Sequence, residues 1–271
     1  MRSSNRMPLD PHNLLFTVKL SNNMKRILIL LGVLVSLAAA NVVLAQSSEG
    51  VITYEVKVNL HRRLPPEREA MKAMIPEFRT SREQLFFNGN QSLYKPLIED
   101  EEEEMGASHG GVQMRFRQPN NELYLDQSTG RIISKQEFNG KNYLIDDSVK
   151  VAPWKFGSET KVIQGYTCRQ AFYTDETQPD RKQEITAWYT DQIRPLLGPE
   201  RFHTLPGAVL AVDINNGERV IVAKAVELRA LKKNELKAPA SGTKTTQAEF
   251  RKMVDEQMAQ MRANGGLVIR N

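Results

Sequence analysis

Lys161-Val-Ile-Gln-Gly-Tyr-Thr-Cys168, Ile185-Thr-Ala-Trp-Tyr189, Gly198-Pro199 and Leu205-Pro-Gly207 follow one another within residues 161–207, and their reading decides the fold. Two β-favouring blocks run into a Gly-Pro turn and a Pro-Gly turn, and a third strand follows from Ala208 to Ile214. Pro199 and Pro206 each restrict a turn, while Gly198 and Gly207 can supply backbone angles closed to other residues. The segment from Ile193 to Ala208 therefore reads as a rigid crossing from one strand to the next.

Around this crossing the side-chain period is two. Ile185, Ala187 and Tyr189 fall on one face, with Glu184, Thr186, Trp188 and Thr190 on the other, so Trp188 is either exposed or covered by something outside the sheet. Beyond the crossing, Leu210, Val212 and Ile214 alternate with Val209, Ala211 and Asp213. Val220, Val222, Val226 and Leu228 alternate with Ile221, Ala223, Ala225 and Glu227. Both faces of this hairpin are largely apolar and need cover, which points to a curved sheet with helices or loops across it.

Turn chemistry extends the pattern toward the N-terminus. Asn88-Gly89, Asn139-Gly140 and Asn216-Gly217 each lie between β-favouring runs, and Asn-Gly marks hairpins because both residues tolerate positive φ. The expected arms are Glu83 to Phe87 with Gln91 to Lys95, Arg131 to Phe138 with Lys141 to Ile145, and Ala208 to Ile214 with Glu218 to Leu228. Thr129-Gly130 adds a turn between Glu122 to Asp126 and Arg131 to Phe138.

Two segments depart from strand rhythm. After Pro65-Pro66, Glu67 to Ile75 places Ala70, Met71, Met74 and Ile75 on one helical stripe, and Pro76 stops it. Thr246 to Ala263 places Phe250, Val254, Met258 and Met261 on another stripe ahead of Gly265-Gly266. Ala238-Pro-Ala-Ser-Gly242 links this longer helix to the sheet, and its stripe reads as a docking face, the alternative being a membrane or cofactor surface. The expected fold is mainly β with two helices: a single curved antiparallel sheet or open half-barrel built from a hairpin meander, with the C-terminal helix packed on it.

The start of the chain carries a secretion pattern. Lys25 and Arg26 precede an apolar and small-residue run from Ile27 to Ala40, and Val43-Leu44-Ala45 sets up cleavage ahead of Gln46. The run is shorter than the ~20 residues a spanning helix needs. Residues 24–45 are therefore expected to be a removed signal peptide, with residues 1–23 a non-native upstream extension and Met24 the start. The expected domains are a β-rich unit over 46–237, then a linker and amphipathic helix over 238–271.

Cleavage changes the charge. The chain has 37 Lys plus Arg against 32 Asp plus Glu, but residues 1–45 hold Arg2, Arg6, Lys19, Lys25 and Arg26 against Asp10 alone, leaving 32 against 31. A near-neutral mature chain lacks the concentrated basic surface that phosphate neutralisation requires, so a nucleic-acid partner is excluded. Cys168 is the only cysteine, which rules out an intramolecular disulfide. It reads as a small buried hydrophobe, or alternatively as a free reactive thiol or intermolecular bridge.

Catalytic constellations are mostly absent. His61, His109 and His203 have no zinc-binding spacing, and no P-loop or dinucleotide fingerprint is present. The acidic run Glu99-Asp-Glu-Glu-Glu-Glu104 reads as a solvated loop, with a weak cation site using Glu101, Glu103 and His109 as the alternative. His203, beside the Pro-Gly crossing, reads as a surface or turn residue rather than a ligand. No cofactor and no catalytic residue set is assigned.

The order and spacing of the opening blocks resemble the GLPGLI family of Bacteroidetes envelope proteins. The resemblance rests on Gly165, Tyr166, Cys168, Trp188, Tyr189, Gly198, Pro199, Leu205, Pro206 and Gly207. Where the family pattern has Gly-Leu-Pro-Gly-Leu-Ile, this chain has Thr204-Leu-Pro-Gly-Ala-Val209, so Thr204, Ala208 and Val209 are substitutions. The likeness implies an exported protein of unassigned activity, in the periplasm, associated with the outer membrane or secreted, with no membrane span after cleavage.

Two functional classes compete. One is a noncatalytic binding or carrier module for an apolar ligand or another envelope protein, by fold-level analogy with the open half-barrel of periplasmic lipoprotein carriers. It requires a concave apolar face. The other is a metal-handling or thiol-dependent envelope enzyme using His203, Cys168 or the acidic loop 99–104, which requires at least two of these groups within bonding distance.

Overall fold

The computed structural model describes residues 49–64, 66–98, 107–109, 112–114, 118–177 and 182–263. The chain divides into two units, Met1–Ala45 and Gln46–Asn271, and all described residues belong to the second.

Its first strand, β1 (Glu49–Asn59), is followed by β2 (Phe78–Asn88), β3 (Gln91–Pro96) and a small separate ribbon of β4 (Ala107–His109) and β5 (Val112–Met114). A meander of β6 (Glu122–Asp126), β7 (Arg131–Phe138) and β8 (Lys141–Ser148) comes next. A second run contains β9 (Lys155–Ile163), β10 (Tyr166–Asp175), β11 (Gln183–Thr190), β12 (Ala208–Ile214) and β13 (Arg219–Glu227), before β14 (Thr243–Thr245) and the helix α1 (Gln247–Ala263). Twelve strands form one open sheet in the order β14-β8-β7-β6-β3-β2-β1-β13-β12-β11-β10-β9. All neighbours are antiparallel except β14, which adds to β8 in parallel.

Each expected hairpin forms, with different turn geometry at each. At 139–140 both Asn139 (φ 50°) and Gly140 (φ 71°) take the left-handed conformation, and Phe138 pairs with Lys141 across a two-residue loop. The first hairpin turns one residue later than its Asn-Gly pair: Asn88 stays in the ladder opposite Gln91, and Gly89 opens the loop with φ 50°. The last uses four residues, 215–218, between Ile214 and Arg219. The block Lys161–Cys168, expected to be one strand, is instead the turn of the β9–β10 hairpin, with Gln164 (φ 50°) and Gly165 (φ 82°) between Ile163 and Tyr166.

β1 joins the two meanders by pairing with β2 on one side and β13 on the other, so residues as distant as Val51 and Glu227 meet. Register irregularities at Thr53/Tyr54, Trp188/Tyr189 and Arg169/Ala171 add local twist, which curls the sheet over one face. That inner face carries the main core, including Ile52, Tyr54, Leu85, Phe87, Ile185, Ala187, Val212 and Ile221. The outer face has a smaller cluster of Leu93, Tyr124 and Ile133, onto which Leu236 and Ala238 of the 228–242 connection pack.

The expected short helix after Pro65 forms as a 3-10 helix over Pro66–Ala73, with a break at Arg68 (φ −118°). Eight residues with none buried cannot sustain an α-helix, and only Ile75, beyond its end, enters the core. The C-terminal helix matches its expectation. Thr246 Oγ1 accepts the Glu249 N–H at 3.2 Å while Glu249 Oε2 accepts the Thr246 N–H at 3.0 Å, a reciprocal cap. Phe250 is buried, edge-on to Phe138 and tilted against Tyr143, at 6.2 and 5.4 Å between centroids, and Val254, Met258 and Met261 are half-buried. The expected stop at Gly265-Gly266 lies outside the described residues. No described helix is long and apolar enough to cross a membrane.

Candidate functional site

After β11 ends at Thr190, the chain lies across the inner face before returning as β12. Ile193, Leu197, Phe202 and Leu205 point into the core and fill the face that the sheet would otherwise leave hollow. The Leu197 carbonyl accepts the Val209 N–H at 2.8 Å, and the Leu205 carbonyl accepts the Leu196 N–H at 3.2 Å, which fixes the crossing against β12 and against itself.

The two glycines of this crossing do not supply unusual angles, contrary to expectation. The left-handed residues are Leu196 (φ 58°) and Glu200 (φ 50°). Gly198 and Gly207 serve close approach instead: a Cβ on Gly207 would stand 2.1 Å from the Thr190 carbonyl oxygen, and one on Gly198 2.1 Å from that of Phe202. Pro206 is exposed, and Pro199 accepts the Phe202 N–H through its carbonyl at 3.0 Å.

Where the crossing meets β2, β3 and β13, a group of polar side chains interrupts the apolar face. Glu200 forms a two-pronged ion pair with Arg219, its Oε2 at 2.8 Å from Nη1 and its Oε1 paired with Nη2. Their side chains remain 30% and 21% exposed, so the pair borders solvent. Burial pushes the Glu200 carboxyl up, but the Arg219 charge and hydrogen bonds outweigh it and hold the group below its ordinary range. Glu83 experiences the opposite balance. Burial, reinforced by the Glu200 charge, pushes its carboxyl up to about 7 against the pull of Tyr94, Arg219 and Arg79. The buried Tyr94 hydroxyl beside it has no well-formed hydrogen bond and is raised by burial and by the two carboxyls.

His203 completes the seam. It is 4% exposed, so of the expected surface or turn placements the surface one does not hold, and its Nδ1 bonds the Glu200 carbonyl at 2.9 Å. Since a carbonyl can only accept, Nδ1 carries the proton, and Nε2 is a buried acceptor without a partner. Burial pushes its pKa down. The seam thus pairs an ionised carboxylate with one that exchanges its proton near neutrality, a separation that can move a proton.

None of Glu83, Tyr94, Glu200 and Arg219 stands out in the sequence reading. A signal was present: Glu83 shares its strand face with Leu85 and Phe87, and Arg219 shares its face with Ile221 and Ala223. A charge at a core-facing strand position is costly unless partnered.

The residues singled out in sequence do not assemble into a site. Cys168 is fully buried, burial pushes its thiol up to about 11, and its Sγ contacts the Tyr166 carbonyl at 3.5 Å rather than His203. Trp188 is half-buried under Lys161, whose Nζ lies 4.0 Å from the ring centroid, and Tyr189 packs against Phe156. Glu101, Glu103 and the rest of the acidic run lie outside the described residues, and His109 pairs with Val112 in the β4–β5 ribbon. Among the described residues no three His, Cys, Asp or Glu side chains are grouped as a metal would require.

One motif was passed over in sequence. Gly106-Ala-Ser-His-Gly110 has the spacing of a hydrolase nucleophile elbow. That elbow needs a sharp strand-to-helix turn, whereas Ser108 sits inside β4 opposite Gln113.

Comparison with known proteins is consistent with a β-sheet module. No family model matches the chain, and no curated protein matches it. The fold is similar to that seen in the structures of PNGF-II in the P21 and C2 space groups, each at TM-score 0.50 and 16% identity over 77% of this chain. The match spans 33% of the PNGF-II chain, so this fold corresponds to about a third of that longer protein, and the likeness is one of fold alone.

Proposed function

We propose that the chain is an exported, noncatalytic cell-envelope protein of the GLPGLI type that works by binding another envelope protein through its surface. The observation carrying this reading is the filling of the inner face by Ile193, Leu197, Phe202 and Leu205. A carrier of apolar ligands needs that space empty. Here the chain's own crossing occupies it, which favours a protein partner over a swallowed ligand. Two surface hollows are open to solvent: one runs along α1 beside Lys150 and Arg251, and another lies at the hairpin ends near Glu49, Asn88 and Asp126. Burial of Cys168 and its lack of contact with His203 weigh against the thiol-enzyme alternative.

Export is supported by the basic pair Lys25-Arg26, the apolar run after it and the small residues ahead of Gln46. The test is native mass spectrometry of the protein purified from its envelope fraction, combined with cross-linking before lysis. A mature chain starting at Gln46, free of lipid and cross-linked to one envelope protein, is the expected result. A stoichiometric lipid adduct would favour the carrier instead, and an intact N-terminus in the cytosolic fraction would defeat the export reading.

A further inference from the structure

Arg194 lies in the crossing with its guanidinium 5.6 Å from the centroid of the Phe87 ring. Its Nη2 donates to the Gln91 carbonyl at 2.8 Å, but Nε and Nη1 are buried and have no acceptor. This differs from the protein's other core-edge cations. Arg219 faces Glu200, Arg63 faces Glu218 at 3.2 Å, and Lys135 is paired with Glu122. Around Arg194, burial is the dominant influence and no described carboxylate offsets it. A guanidinium stays charged under all ordinary conditions, so it cannot escape this cost by losing its proton. Arg194 as a whole is half-buried and keeps some solvent, but its two enclosed nitrogens would normally face an acceptor, and here one backbone carbonyl serves the whole group.

We infer that Arg194 is the anchor of a carboxylate-binding site in which the Nη2 hydrogen not given to Gln91 pairs with the free Nε–H or Nη1–H on the same edge of the guanidinium, with Phe87 as an apolar floor. A single guanidinium against an aromatic ring suits a planar monoanion, whereas a phosphate dianion calls for more positive charge. Entry runs through the adjoining turn. Pro195 is exposed, Leu196 holds φ 58°, and Gln127 Nε2 latches the turn by donating to the carbonyls of Pro195 and Leu196 at 3.3 and 2.8 Å. For a carboxylate to enter, that latch must lift to uncover the guanidinium, which also releases the Leu196 N–H from the Leu205 carbonyl. The site is independent of export and of the partner reading above.

The test is chemical unfolding of the full chain in sodium acetate against sodium chloride at equal ionic strength, for the wild type and Arg194→Met. Acetate at ten times its dissociation constant raises the folded-to-unfolded ratio of the wild type about elevenfold over chloride. Arg194→Met is expected to lose that response while remaining at least as stable as wild type in chloride, since it removes a half-buried charge with no counter-charge and keeps the apolar stem. Equal stability in acetate and chloride would overturn the site, as would an acetate response surviving in the variant. Phosphate acting as strongly as acetate would overturn the carboxylate assignment. Should Arg194→Met not fold, wild-type protein is expected to broaden the acetate methyl resonance, with relief on adding formate but not chloride. Unbroadened acetate would likewise refute the proposal.

Discussion

The Tyr54 hydroxyl on β1 donates to the Val209 carbonyl on β12 at 2.7 Å, reaching over the intervening strand β13. Ala223, the β13 residue opposite Tyr54, is small enough to let the ring pass. The bond has a specific purpose. The β12–β13 ladder begins only at Ala211, so the Val209 C=O finds its acceptor role met by Tyr54 while its N–H goes to Leu197. One phenol therefore links the central strand, the edge of the crossing and the fourth strand of the second run.

Tyr54→Phe is expected to preserve the ring packing and leave the Val209 carbonyl buried without a donor, destabilising the protein by about 1–3 kcal/mol. Urea unfolding measures this. A stability within ~0.3 kcal/mol of wild type would mean that water replaces the hydroxyl.

Gly207→Ala should be more damaging than Gly165→Ala, although Gly165 has the unusual backbone angle. At Gly207 the new methyl meets the fixed Thr190 carbonyl, and relief requires the crossing to move, at about 1–3 kcal/mol or more. At Gly165 the space is open and only the φ of 82° resists, at roughly 1–2 kcal/mol. Comparing the two thermal midpoints decides the order.

Glu83 predicts a stability slope opposite to the ordinary carboxylate case. With its folded pKa raised from 4.5 to about 7, the folded chain binds the extra proton between these values, so stability falls as pH rises from about 4.5 to 7. The total contribution is up to about 3 kcal/mol. His203 runs the other way: its folded pKa is depressed, so its contribution is complete above pH 6.5 and is lost as pH falls. Glu83→Gln should therefore be more stable than wild type at pH 8 and should lose stability, rather than gain it, on acidification from pH 6.5. Unfolding curves across pH 5–8 show whether it does.

Cys168 should resist maleimide in the native protein and react fully in denaturant, because burial and a pKa near 11 leave little accessible thiolate. Rapid native labelling would show that β10 opens locally. Cys168→Ser should cost about 1–3 kcal/mol by burying a hydroxyl in an apolar setting.

Much of the architecture could be read residue by residue because its causes are local. The hairpin at Asn139-Gly140, the four-residue turn before Arg131, the alternation of Ile185, Ala187 and Tyr189, and the Thr246–Glu249 cap depend on neighbours a few residues away. β1 was less legible. It passed unnoted between Glu49 and Asn59, with Val51 and Ile52 both buried, and became central only by pairing across the length of the chain. The candidate site was scarcely legible, since Cys168 and His203 attracted notice by residue type while Glu83 and Glu200 acquired their character from each other.

By itself the sequence determined a β-rich chain of successive hairpins, a crossing pinned at Leu205-Pro206-Gly207 and a capped C-terminal helix, because backbone angles and side-chain periods are set by nearby residues. Only the tertiary structure decided that the crossing fills the sheet's own hollow, that Glu83 holds its proton near pH 7 and that Arg194 lacks a counter-charge. Those properties arise from desolvation and from charges brought together across long chain separations, and no local pattern carries either.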